Sequence, residues 1–577
     1  MFASIGPLRA PRLRALILGL SLALAACGPG ASSTDGTSNR SSSSTAAVSQ
    51  DRPRGTLKIA WPNEPNYLSP KFLSGAGNGE YQWMFNSTLT SRDLSGASHP
   101  ILAKDIPSQD NGDWIINPDG TMVTVYHLRE NTTWHDGTPL TAPDFVFAFE
   151  VYLDKDLPIQ QPDPEPLMAR VEAKDDHSLV ITWKEPYPLA NVLGFQALNP
   201  LPRQQLEDKY RNARATFALG DEWTTSYIGS GPFRVERWTP GVGILARAHL
   251  GWALGPPKLD AIDIRFISDP NTELANVLSG EVDMINSPGV RAQEAAIARD
   301  QWGGQGYVKA WVTRTAYMEF QYREVPGWQR AVADVRVRQA LISAIDREGL
   351  ADVIDLGFGT AADAFIAPTD ELFPEVDRAI VKYPHNVARA VALLEDAGWR
   401  RPPQGGPLVD ASGRTLDVDL TATSAQAQIA TIVANNWKDA GVTSSTTTIP
   451  PARVREGELR AGFPAAALNG RTIGAETFVW TTSNFPTPDN RFAGSNRGSF
   501  SDPEVDRLQK IRLTSLNERE RSEATIAVLK RMTELVGAQP LIYSVEVIIA
   551  RNGVRGPVGN YGPQEGITWN VQDWSVD

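Results

Sequence analysis

At 577 residues the chain is too long for one hydrophobic core, and at about 150 residues per domain it predicts three or four. Hydrophobic residues make up 41% and charged residues 21%, a balance that builds packed cores and excludes an intrinsically disordered chain. The formal net charge of −12, with no long basic run, argues against nucleic acid as a partner, because an acidic surface repels phosphate.

In chain order, the first signal lies in residues 1–26. Arg9, Arg12 and Arg14 precede the apolar stretch Ala15–Ala26, which at roughly a dozen residues is shorter than the ~20 a membrane-spanning helix needs. The stretch ends in Leu24-Ala25-Ala26-Cys27, which resembles the lipobox of bacterial lipoprotein signal peptides. That resemblance implies cleavage before Cys27 and lipidation of its sulfur, and two or more acyl chains anchor stably. Cys27 is the only cysteine, so no internal disulfide can form. Residues 27–54, rich in Ser, Thr and Gly, read as a flexible tether.

Order is expected from Thr56 to Trp61, a strand, followed by a turn-rich stretch containing Asn63, Glu64, Asn66 and Tyr67. Thr121 to Leu128, rich in β-branched residues, reads as a strand. Thr141 and Asp144 then form a capping box for a helix whose Phe145, Val146, Phe149, Tyr152 and Leu153 recur at helical spacing and give it a buried face. Asp136-Gly137 between them signals a turn. Further strands are predicted at 179–183, 244–248 and 262–267, and a helix from Asn271. Beyond Thr313 strands and helices alternate: a strand at 316–320, helices capped by Asp334 and Asn386, a strand at 416–421, and helices at 426–440 and 517–536. A buried strand at 541–550 follows.

Catalysis and metal binding find no carrier in the sequence. There are six histidines, no His-Glu-x-x-His, no cysteine pair and no Gly-x-x-x-x-Gly-Lys loop. Gly229-Ser230-Gly231 lacks the spacing of a nucleophile elbow and reads as a turn before a strand. His135 and Asp136 are adjacent, an unsuitable spacing for a triad, and read as a surface turn. No enzymatic activity, cofactor or metal is expected. Of the sixteen tryptophans, most read as core. The segment Phe478–Arg491, dense in aromatic, amide and charged groups, reads as a surface loop or a binding segment.

Several motifs together resemble the extracellular solute-binding proteins of family 5, the peptide- and nickel-binding components of ABC importers. They are Trp114 with Thr121–Arg129, Trp134–Asp144, Gly229–Trp238, Asp334–Leu341, Asn386–Trp399 and Phe500–Leu508. The resemblance covers nearly all of residues 55–577. It implies an α/β, two-lobed periplasmic-binding-protein-like fold (type II, cluster C) with an extra domain and a hinge between the lobes. Domain I would take 55–86, 225–308 and 537–577, domain II 87–224 and domain III 309–536, with hinge connections near 305–312 and 533–540. The function implied is capture of an extracytoplasmic solute, first of all a peptide, and its delivery to a membrane permease. The protein would be a monomer on the outer face of the bacterial cytoplasmic membrane, held by lipid at Cys27.

In peptide-binding relatives an Asp of domain III holds the ligand's α-amino group, and the corresponding position here falls on Asn484, with Asp489 nearby. An amide supplies no full charge. Oligosaccharide binding is therefore an alternative, and Trp480 and Asn484 together with Asn63, Glu64, Asn66 and Tyr67 are candidate contacts that would serve it as well as they would a peptide. A ligand-sensing lipoprotein of the same fold is another alternative, and an extracytoplasmic hydrolase a third.

Overall fold

In the computed structural model, the described residues are 53–72, 79–92, 97–159, 164–194, 197–474, 480–557 and 566–577. The predicted signal peptide, Cys27 and most of the tether lie outside them, as do Phe478 and Val479. No helix among the described residues is long and apolar enough to cross a membrane.

One eleven-stranded sheet runs through the chain. Its path is 446–449, 420–423, 466–472, 306–320, 538–551, 284–286, 56–61, 261–266, 243–248 and 233–239, with 360–361 paired to 538–551. Thr56–Trp61 pairs in parallel with both Ala261–Phe266 and Met284–Asn286. At the other end Leu420–Thr423 pairs in parallel with Thr446–Ile449 and Ala466–Thr472. A separate four-stranded antiparallel sheet holds Met122–His127 and Ser178–Trp183 at its centre.

Two strands join these halves. Gly306–Phe320 and Ala538–Arg551, 15 and 14 residues long, pair antiparallel along almost their full length. Their N- and C-terminal parts serve different cores: Trp311, Ile548 and Ala550 pack with Leu57, Ile59 and Trp61. Met318, Phe320, Leu541 and Ile542 instead pack with Leu341, Leu420 and Trp437. The register shifts between Val312 and Arg314, where a β-bulge raises local twist and bends the strand. A small cluster of Ala362, Ile473 and Tyr543 sits at this change of core. The change of core along Ala538–Arg551 lies beyond Ile542: Val536 and Ala538, inside the expected 533–540 connection, pack in the second half, and Ile548 and Ala550 in the first. Sequence periodicity could not locate it, because an apolar strand reads alike in either core.

Most predicted elements stand where their caps put them. Thr141 N–H donates to Asp144 Oδ2 at 2.8 Å at the start of Ala142–Tyr152. Asp144 also accepts from Trp134 Nε1 at 3.2 Å, so the capping carboxylate ties the preceding turn to its helix. Asn386 caps Val387–Asp396 and Asn517 caps Glu518–Leu535. Two expectations shift: the helix placed at Asn271 begins earlier, as Pro270–Ser279 capped by Asp269, and the strand placed at 416–421 is Leu420–Thr423. Asp269 wins as cap because its carboxylate reaches Thr272 N–H at 2.7 Å while Pro270 suits the first helical position.

Candidate functional site

Both segments expected to meet ligand leave the carboxyl ends of parallel strands. Asn63–Tyr67 follows Thr56–Trp61, and the 480–491 segment follows Ala466–Thr472. Loops diverge at such ends and leave a crevice in open α/β sheets, which is where their ligands bind. The two groups belong to different halves: Tyr67 packs on the core around Trp61, whereas Trp480 lies with Phe365, Val505 and Met532.

Individually the candidate side chains divide sharply. Asn66 and Asp489 are exposed, and Asn63 is half-buried with its carbonyl accepting from Tyr81 OH at 2.7 Å. The Glu64 carboxylate accepts from Trp238 Nε1 at 2.6 Å and from Gly241 N–H at 2.9 Å, which engages both oxygens with the neighbouring hairpin. Asn484 Nδ2 donates to Ser495 Oγ at 2.7 Å, and Asn484 Oδ1 accepts from Ser495 N–H at 3.3 Å. Its amide thus closes the 484–495 loop. Trp480 is only 2% exposed, with Phe365 at 4.5 Å between ring centroids and the Arg471 guanidinium 5.6 Å from its ring. Trp480, expected as a ligand contact, is packed in the core beside the loop.

A polar network that sequence reading missed lies in the second half, along the paired strands Gly306–Phe320 and Ala466–Thr472. Glu319 is 2% exposed, and its Oε1 accepts from Asn469 Nδ2 at 2.8 Å and Tyr317 OH at 3.1 Å. Its Oε2 accepts from Gly498 N–H at 3.3 Å, and Arg497 Nη1 stands 4.0 Å from Oε1. Arg460 Nη2 donates to Asn469 Oδ1 at 2.6 Å. These groups come from four separate stretches of chain. The one local signal is Glu319 itself, an acid inside an otherwise apolar strand pattern. In the first half, burial pushes the Glu80 carboxyl up to about 8, with the negative charge of Glu546 adding to it. Glu80 is therefore largely protonated at neutral pH.

His135 is not the surface turn expected. The turn exists, with Gly137 at φ +87° and Asp136 Oδ1 accepting from Thr138 N–H at 2.9 Å. The imidazole, however, points inward to the Gly229–Gly231 turn. Nδ1 accepts from Gly229 N–H at 3.0 Å, and Nε2 lies 3.2 Å from the Gly231 carbonyl, the pairing of a neutral ring protonated at Nε2. His249 packs edge-on at 5.1 Å. A Cβ on Gly229 or Gly231 would meet the Phe85 or Met84 carbonyl at 1.9 or 2.4 Å, which explains both glycines. Burial first, then His249, holds the His135 pKa well below its usual value of 6.5. The unfolded chain binds this proton and the folded chain does not, so stability falls as pH drops below about 6.5, by up to about 1.4 kcal/mol per pH unit. Urea midpoints at pH 7.5 and 5.5 should show this slope reduced in His135→Gln, with ligand affinity at pH 7.5 unchanged. An equal slope in the variant would refute the assignment. No group of three or more potential metal ligands occurs among the described residues.

Two halves with separate cores joined by a long strand pair define a two-lobed periplasmic-binding fold, and solved structures share it. NikZ from Campylobacter jejuni in complex with Ni(L-His) matches with TM-score 0.69 and 21% identity, covering 91% of this chain and 100% of that one. AppA from Bacillus subtilis in complex with a nonapeptide matches with TM-score 0.67 and 21% identity over 91% of this chain and all of that one. In sequence, the oligopeptide-binding protein AppA is 23% identical over 558 residues, 93% of this chain and 94% of AppA. The heme-binding protein A of Haemophilus influenzae is 26% identical over 529 residues, covering 86% and 88%. The family described as "Bacterial extracellular solute-binding proteins, family 5 Middle" matches residues 99–507. The chain belongs to the bacterial extracellular solute-binding proteins of family 5, whose members are extracytoplasmic binding proteins.

Proposed function

We propose that the protein captures a peptide-like solute between its two lobes and delivers it to an ABC permease, anchored to the membrane by lipid at Cys27. The observation that supports this reading most is the placement of Asn63–Tyr67 and the 480–491 segment, each at the carboxyl end of a parallel strand group, in two halves that share one long, bulged strand pair. The oligopeptide-binding relative spans nearly the whole chain. In this reading residues 55–86, 225–308 and the C-terminal segment form domain I, 87–224 domain II and 309 onward domain III, with the change of core along Ala538–Arg551 beyond Ile542.

A ligand that touches both lobes favours their closed arrangement by its difference in affinity for closed over open. It also stabilises the fold, by about 2.7 kcal/mol at a concentration 100 times Kd. Thermal melts against pooled tri- to nonapeptides should show this shift, and Cys27→Ser should move the protein from the membrane to the soluble fraction. A flat response to every pool, with a shift in oligosaccharide, would reassign the ligand. The burial of Trp480 weighs against oligosaccharide, since a sugar needs an open aromatic face.

A further inference from the structure

Two side chains of the second half end against cores of the first. Phe358, in the turn after the helix Arg347–Asp355, packs against the cluster that holds Leu274, Ala298, Val547 and Ile549. Leu516, between the helices Pro503–Thr514 and Glu518–Leu535, packs against the cluster that holds Trp61, Ile548 and Ala550. Among the described residues, every other member of these two clusters comes from the first half or from the two joining strands. Val547 and Ile549 lie in one cluster and Ile548 and Ala550 in the other, and successive residues of a strand point to opposite faces. Phe358 and Leu516 therefore reach the first half from opposite faces of the joining strands.

The Phe358 turn is set by Leu356 at φ +49° and Gly357 at φ +81°, with Phe358 N–H donating to the Asp355 carbonyl at 2.8 Å. A branched side chain takes a positive φ only where its surroundings impose it. The turn delivers the ring to Arg299 of the first half, whose guanidinium stands 5.0 Å from the ring centroid and attracts it. On the other face charge opposes the contact: burial lowers the Arg521 pKa, Glu518 offsets this, and Arg92 of the first half lowers it further. Bending at the bulge between Val312 and Arg314 carries the second half toward one face and away from the other. Close-packed side chains then seat or withdraw, because a small gap already forfeits much of their contact. We propose that Phe358 and Leu516 are opposed latches between the lobes: bending toward one face seats one and withdraws the other, and their balance sets the resting arrangement. The inference goes beyond solute capture and rests on the two-lobed fold alone.

Double electron–electron resonance on the full chain without ligand tests it. Spin labels go on Ala275→Cys and Ala392→Cys, exposed positions of the helices Pro270–Ser279 and Val387–Asp396, in a Cys27→Ser background. The first of these helices lies on the Phe358 face, since its Leu274 and Val277 belong to that cluster. Phe358→Ala should let the second half lean toward the opposite face and lengthen the label distance, whereas Leu516→Ala should shorten it. Arg299→Gln, which removes the cation from the Phe358 ring at an exposed position, should lengthen it by less than Phe358→Ala. Phe358→Leu and Leu516→Met keep an apolar contact and should stay near the wild-type distance, and circular dichroism of each variant confirms that it is folded. Shifts of the same sign in the two alanine variants, a shift in only one of them, or unchanged distances would overturn the proposal, and each leaves peptide capture standing. Opposite shifts together with a flat melt against every solute pool would uphold the latches and remove the capture reading.

Discussion

Trp480→Ala should lower the unfolding free energy by about 3–5 kcal/mol, the range for deleting a large buried aromatic side chain. Trp480 is 2% exposed and packs in the cluster of Tyr317, Phe365, Phe500 and Leu529. Removing the indole leaves a cavity beneath the 481–500 loop and strips the tilted contact with Phe365 and the cation–π contact with Arg471. Trp480→Phe keeps most of the apolar volume and should cost about 1–2 kcal/mol. Urea denaturation followed by circular dichroism measures both. A loss below about 0.5 kcal/mol for the alanine variant would mean that the side chain is exposed in solution, as the sequence alone suggested. Any fall in ligand affinity must therefore be read at temperatures where the variant remains folded.

Breaking the buried pair of Lys71 and Glu165 is expected to have an effect of the same size. Lys71 Nζ lies 3.0 Å from Glu165 Oε2, with the two side chains 2% and 0% exposed. The ammonium also sits 5.6 Å from the Tyr152 ring centroid. Lys71→Met leaves a carboxylate in an apolar core, and Glu165→Leu leaves an ammonium there, each at a cost of about 3–5 kcal/mol. Because the desolvation of both charges offsets much of their attraction, the double variant Lys71→Met/Glu165→Leu should recover most of that loss. A double-mutant cycle measures this directly. If the double variant is as unstable as the sum of the singles, the pair is not coupled and the reading fails. The pair matters for the site because Lys71 closes the stretch that begins with Asn63–Tyr67 and fixes it to the segment around Glu165.

Local rules were enough wherever one residue acts on its neighbours. The Thr141–Asp144 capping box, the Asn386 and Asn517 caps and the alternating strand at 261–266 stand where period and capping chemistry put them. The Trp134–Asp144 block marked the family and turned out to be scaffold: its carboxylate and its indole hold each other, and its histidine holds Gly229 and Gly231. Nothing local could show that pairing, because His135 and Gly229 are 94 positions apart. The same applies to Glu64, which had every appearance of a free acid beside Asn63 until Trp238 and Gly241 proved to engage both its oxygens.

What the sequence determined, then, was the class of chain: α/β elements in family order, acidic overall. Capping, periodicity and composition act within a few residues, so they are legible in one dimension. The tertiary structure decided which side chains remain available. It buried Trp480, engaged Glu64 and Asn484, set the change of core along Ala538–Arg551 beyond Ile542, and linked Arg460 through Asn469 to Glu319. Burial and hydrogen-bond partnership depend on contacts between residues far apart in the chain, and only the folded sheet brings those residues together.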